Sequence, residues 1–196
     1  MDMFQVLFKS IVAPLGVINK DNVKGRLHAS IFTVFMTAFL GSVIAPIVYF
    51  FANRNKYEIS LHIGSMFIGL SVSIVTWLAA CALLWLLAKV FNKGIGFGQV
   101  AATWGLSYIP NFLCVVLYNL LFIIPEIDNG SGFSTFIISS FFIMFLVWKA
   151  IYYFMLMRFV INTTLGEFSV ITAVSAVVFT VLMVIGFAVG IQVPML

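Results

Sequence analysis

Lys149 is the one charged side chain set deep within an apolar stretch of this sequence. An ammonium in hydrocarbon costs at least about 2.5–3.5 kcal/mol, so it needs a partner or a way out. No Asp or Glu stands in any of the apolar stretches to pair with it. Pro110, in an earlier stretch, lies at a similar depth: each residue is roughly 14–16 Å in from the same end of its helix, at 1.5 Å per residue. A proline lacks an N–H, so the carbonyl of Leu106 loses its helical donor. Around Pro110, the residues Thr103, Ser107, Asn111, Cys114 and Tyr118 recur at helical spacing and share one face. The expectation is that Lys149 donates to the Leu106 carbonyl, to Asn111 or to Ser107. Tyr108, Tyr152 and Tyr153 would then complete a polar interior. Two other readings stay open: a lysine snorkelling along its own stem to the headgroups, and a site for a transported ion or ligand.

Other chemistry is missing by residue type. Hydrolysis inside a membrane needs a nucleophile with a base, or paired aspartates, at depth. Neither His28 nor His62 is placed in the hydrocarbon, and the two sit near opposite membrane faces, too far apart to share a metal. Cys81 and Cys114 lie in apolar surroundings with no ligand spacing and read as small buried hydrophobes. The glycines of residues 92–98 (NKGIGFG) lack the preceding strand and following Lys-Ser/Thr of a phosphate loop, and read as a turn. No enzyme, metal site or cofactor is expected. No basic run exists to hold nucleic acid.

The elements that must position these residues are helices in lipid. Of the 196 residues, 63% are hydrophobic and 8% charged, against about 25% charged in an ordinary soluble domain. Such a chain has too few charges to cover a water-facing surface. Five stretches reach the roughly 20 apolar residues that a spanning helix requires: residues 31–51, 61–91, 100–124, 133–160 and 170–193. Backbone amides in lipid must be satisfied internally, which makes these stretches helices. The fold class is all-α: a polytopic transmembrane bundle of five spans over residues 29–196, preceded by a segment at 1–28. With the N-terminus in the cytosol, Lys9, Lys20, Lys24, Arg26, Lys89, Lys93 and Arg158 all fall on the cytosolic side, leaving Arg54 and Lys56 outside with Glu126 and Asp128. That distribution follows the positive-inside rule and implies an inner or plasma membrane, with the C-terminus outside.

Residues 2–20 are amphipathic. Asp2, Gln5, Lys9, Gly16 and Lys20 make a polar stripe, and Phe4, Leu7, Phe8, Ile11, Val12, Leu15 and Ile18 cover the rest. This suits a helix lying in the cytosolic interface and ended or kinked by Pro14. Pro46 should kink the first span. Ser65, Gly69 and Ser73 recur every four residues, and Gly186 and Gly190 form a GxxxG pair. Small residues at this spacing let helices approach closely, within one chain or between two copies. Asn129-Gly130-Ser131 matches a glycosylation sequon in an outer loop.

Three segments carry a family resemblance. Residues 8–18 (FKSIVAPLGVI) hold a central proline. Residues 97–113 (FGQVAATWGLSYIPNFL) run from a glycine-rich turn into a helix with a Tyr-x-Pro step. Residues 160–169 (VINTTLGEFS) follow a span bearing Trp148 and Tyr152. Together they resemble the Yip1 family of five-span membrane proteins, and this chain looks like its short bacterial members. The resemblance implies a non-catalytic bundle acting as a scaffold or transport accessory, with the lipid bilayer and other membrane proteins as partners. The alternative from the residues alone is a channel or transporter lined by the third span and Lys149.

Overall fold

The computed structural model describes residues 3–17, 23–53, 62–123 and 132–188. Among the described residues every regular element is helical: α1 (Met3–Val12), α2 (Pro14–Val17), α3 (Val23–Phe39), α4 (Ala45–Asn53), α5 (Ile63–Val90), α6 (Phe97–Leu106), α7 (Ile109–Ile123), α8 (Gly132–Met155) and α9 (Leu165–Ala188). Single π-turns, Leu40–Ile44 and Leu156–Val160, join α3 to α4 and extend α8. Four of the resulting runs are long and apolar enough to cross a membrane: Val23–Phe51, Ile63–Val90, Phe97–Leu117 and Ser139–Val160.

Three prolines shape these helices through the N–H they lack. Ahead of Pro46 the chain widens into the π-turn Leu40–Ile44, closed by the Ala45 N–H on the Leu40 carbonyl. The expected kink therefore takes the form of a register change within a continuous run. At Pro110 the third span is not one helix over 100–124. It breaks at Ser107–Tyr108, where tighter turns run from the Ser107 N–H to the Trp104 carbonyl (3.0 Å) and from the Tyr108 N–H to the Gly105 carbonyl (3.1 Å). Pro14 stops α1, whose last bond runs from the Ala13 N–H to the Lys9 carbonyl (2.7 Å).

The packing centres on α6, pressed by α3, α5, α8 and the second π-turn. Residues 100–110 are all buried. The closest approach is that of α3 to α6. A Cβ added to Gly105 would lie 2.5 Å from the Ser30 Cβ and 3.2 Å from its Cα, so the crossing admits only glycine here. Ser30 Oγ donates to the Ala102 carbonyl across the same crossing. Ala29, Thr33, Thr37 and Ala38 on α3, with Ala101 and Ala102 on α6, are also buried. Small residues let two backbones approach this closely.

The small-residue stripe expected on the second span is used in part. Gly69 lies against Ser42 of the first π-turn, where an added Cβ would meet Oγ at 3.1 Å. Ser73 is buried and donates to the Gly69 carbonyl, whereas Ser65 is exposed. The packing of Gly186 and the whole of Gly190 lie outside the described residues, as do Asp2, Ile18, Lys20, Arg54, Lys56, Glu126, Asp128 and the 129–131 sequon.

Helix α1 lies on the bundle through Val6 and Ser10, which join Ala29, Leu106, Ile109, Tyr152 and Met155 in one buried cluster or touch it. Its opposite flank leaves Phe4, Phe8, Ile11 and Val12 exposed. Pro14 explains the central tie of this contact. The Ser10 carbonyl has no helical donor four residues on, and the Tyr152 hydroxyl donates to it instead at 2.6 Å.

Candidate functional site

Two buried cations mark two places in the fold. The first is Lys149, on α8. Its Nζ is buried and has no hydrogen-bond partner among the described residues. The expected donations to the Leu106 carbonyl, Asn111 or Ser107 are therefore not made. Instead the ammonium sits over aromatic faces, 4.7 Å from the ring centre of Tyr108 and 5.6 Å from that of Trp104. Ring quadrupoles attract a cation at such distances, by about 2 kcal/mol or more when desolvated. The residues brought to Lys149 are thus Tyr108, as expected, and Trp104, which the polar-stripe pattern could not single out because an indole shares no hydroxyl or amide spacing.

The rest of the expected polar interior is spent locally. Thr103 Oγ1 donates to the Gln99 carbonyl at 3.0 Å, and Ser107 Oγ to the Trp104 carbonyl at 2.6 Å. Tyr153 stacks edge-on to Trp104 and shares a 3.1 Å bond with Thr172 of α9. Tyr152 faces α1, on the other side of α8, through its bond to Ser10. Asn111 and Cys114 are half-buried on α7, beyond the break at Ser107–Tyr108, and Pro110 is fully buried.

The second place is the end of the bundle where α3 begins, α5 and α8 finish, and α6 and α9 start. Two asparagines in left-handed conformation turn the chain there, Asn92 (φ 55°) and Asn162 (φ 60°). Asn tolerates this region better than other residues with a Cβ. After α5 the Lys93 N–H returns to the Ala88 carbonyl and the Asn92 N–H to Lys89, a Schellman closure. The 92–98 segment is a turn, as read from the sequence, but an anchored one: Ile95 is buried and its carbonyl accepts from Trp85 Nε1 at 3.2 Å. Thr164 and Glu167 form a reciprocal capping box at the start of α9.

Lys93 ties the two turns together. Its Nζ lies 2.8 Å from Glu167 Oε2 and donates to the Asn162 carbonyl at 3.0 Å. This hydrogen bond from Lys93 holds the Glu167 carboxyl below its ordinary range, helped by the Thr164 N–H. Arg158 Nη1 donates to the Thr163 carbonyl at 2.5 Å.

Beside this tie lies a pocket of about 340 Å³. Arg26 lines it and is only 2% exposed, with Nε and Nη1 lacking any hydrogen-bond partner among the described residues. Charge counting by loop places Arg26 among the cytosolic-side charges; it did not show that the side chain is buried. The available signal was spacing: Arg26, Ser30, Thr33 and Thr37 share the α3 face that meets α6. Among the described residues no group of His, Cys, Asp and Glu is placed to hold a metal ion. Comparison with family models, with curated proteins and with solved structures gave no match.

Proposed function

We propose that this chain is a non-catalytic integral membrane protein of Yip1-like type, crossing an inner or plasma membrane five times with its N-terminus in the cytosol. It acts as a scaffold or accessory subunit that binds membrane partners or lipids. One observation carries the choice of scaffold: two polar groups of the third span and the buried ammonium of the fourth are turned into packing. Thr103 and Ser107 bond their own helix, and Lys149 lies on the rings of Tyr108 and Trp104. A conduit needs such groups facing a path.

Helix α9 supports the fifth span. Its 24 residues reach about 36 Å, enough for a hydrocarbon core of about 30 Å. The exposed Phe4, Phe8, Ile11 and Val12 support an interfacial α1, since this flank is apolar and the bundle leaves it uncovered.

A second reading rests on Lys149 itself. An ammonium with no hydrogen-bonding partner among the described residues is also what an anion path would contain. Flux assays in proteoliposomes separate the two. The scaffold reading expects no ion or small-solute flux above empty vesicles, for the wild type and for Lys149→Met alike. Flux that Lys149→Met or Asn111→Ala abolishes would replace it with the transport reading.

A further inference from the structure

We propose that the pocket beside the 91–96 and 161–164 turns binds a phosphate group, held by the guanidinium of Arg26 with Lys93 as second cation. A guanidinium does not give up its proton in a protein. Arg26 is therefore a permanent charge, almost wholly buried, with two of its nitrogens unpaired among the described residues. A cation so placed calls for an anion. Glu167, the acid that meets Lys93 at this end of the bundle, is already engaged by it.

The pocket wall matches this need. Arg26, Lys93, Asn92, Gln99 and Asn162 line it, and among the described residues no acidic side chain does. Lys93 spends two of its three ammonium donors on Glu167 and Asn162, which leaves a third. Gln99 accepts from the Gly96 N–H through its side-chain oxygen, which leaves its amide donors. The volume of about 340 Å³ is at the lower end of the roughly 300–1,000 Å³ typical of small-ligand sites. A guanidinium fork on one helix and an ammonium on another loop present more donors than a carboxylate's two oxygens accept best, and suit a phosphate. The site owes nothing to the glycines of 92–98, which do not form a phosphate loop. Arg26 stands one turn inside the apolar run Val23–Phe51, so the phosphate can arrive on a lipid headgroup or as a soluble phosphate.

The experiment uses the full chain in neutral detergent. Inorganic phosphate is titrated against chloride at constant ionic strength, with the thermal midpoint and calorimetric binding as readouts. A parallel series uses phosphatidylcholine nanodiscs with and without phosphatidic acid. The expected result is a rising midpoint and saturable binding in the wild type, at least tenfold weaker binding for Arg26→Lys, which keeps the charge but loses the fork, and none for Arg26→Met. Without ligand, Arg26→Met unfolds no earlier than the wild type. Stabilisation by inorganic phosphate identifies a soluble source, and stabilisation by phosphatidic acid alone identifies a headgroup. A wild type that responds to neither overturns the proposal, as does Arg26→Lys binding as tightly as the wild type.

Discussion

Lys149 and Arg26 are both cations buried in an apolar protein, yet their surroundings differ. Lys149 lies nine residues before Arg158 on α8 and its π-turn, against two aromatic rings and with no hydrogen-bond partner for Nζ among the described residues. Arg26 lies at the end of the bundle, against a polar pocket and next to an engaged ion pair. The same sign of charge is thus handled in two ways. On α8, the ammonium is covered by the π-faces of Tyr108 and Trp104. At the end, the guanidinium keeps its hydrogen-bonding capacity in hand beside a space. The first arrangement serves packing, and the second serves recognition.

Removing the cover from Lys149 is the severest way to break this contrast. Tyr108→Ala leaves a cavity and takes away the closer ring, and is expected to cost about 3–5 kcal/mol in chemical unfolding. A cost below 1 kcal/mol would show that Lys149 does not depend on Tyr108. Next in size is Gly105→Ala, which forces a Cβ into Ser30 where α3 crosses α6. Overpacking of this kind costs about 1–3 kcal/mol. Because α3 carries Arg26 and α6 carries Trp104, one substitution should disturb both cations together. Tyr152→Phe removes the hydroxyl that holds the Ser10 carbonyl and should cost about 1 kcal/mol. It should speed proteolysis at the 13–14 junction and leave both cations in place.

The smallest effect is a pH dependence confined to the Arg26 end. The Glu167 carboxyl titrates below its ordinary range because Lys93 donates to it. The stability from that pair is therefore fully present above the ordinary carboxylate range and is lost as pH falls through the lowered value. Glu167→Gln should flatten the thermal midpoint over that acidic window and change nothing at neutral pH beyond the loss of the pair itself.

Composition and hydropathy located four runs long and apolar enough to cross a membrane, one to within two residues and the others with one end six to eight residues off. The stretch 61–91 became Ile63–Val90, and the proline effects at 14, 46 and 110 all fell where the missing N–H places them. Depth was also legible, since Lys149 and the segment around Pro110 do meet. The partner atoms were not. Helical spacing tells which residues share a face, but not which helix that face meets or how closely. Gly105 looked unremarkable among the residues of 97–113 until Ser30 was brought against it. Arg26 counted as one positive charge among several, because whether an end-of-span arginine points to water or into the bundle depends on a neighbouring helix. The capping box of Thr164 and Glu167 and its link to Lys93 required two loops to meet.

The contrast between the two cations depends on depth, and depth depends on an odd number of crossings from a cytosolic start. Single labels at Met1 and at Leu196, probed with a membrane-impermeant reagent in intact cells and again after lysis, test this most directly. Met1 protected and Leu196 reactive in intact cells is the predicted result. Both labels protected, or both reactive, would contradict the five-span account.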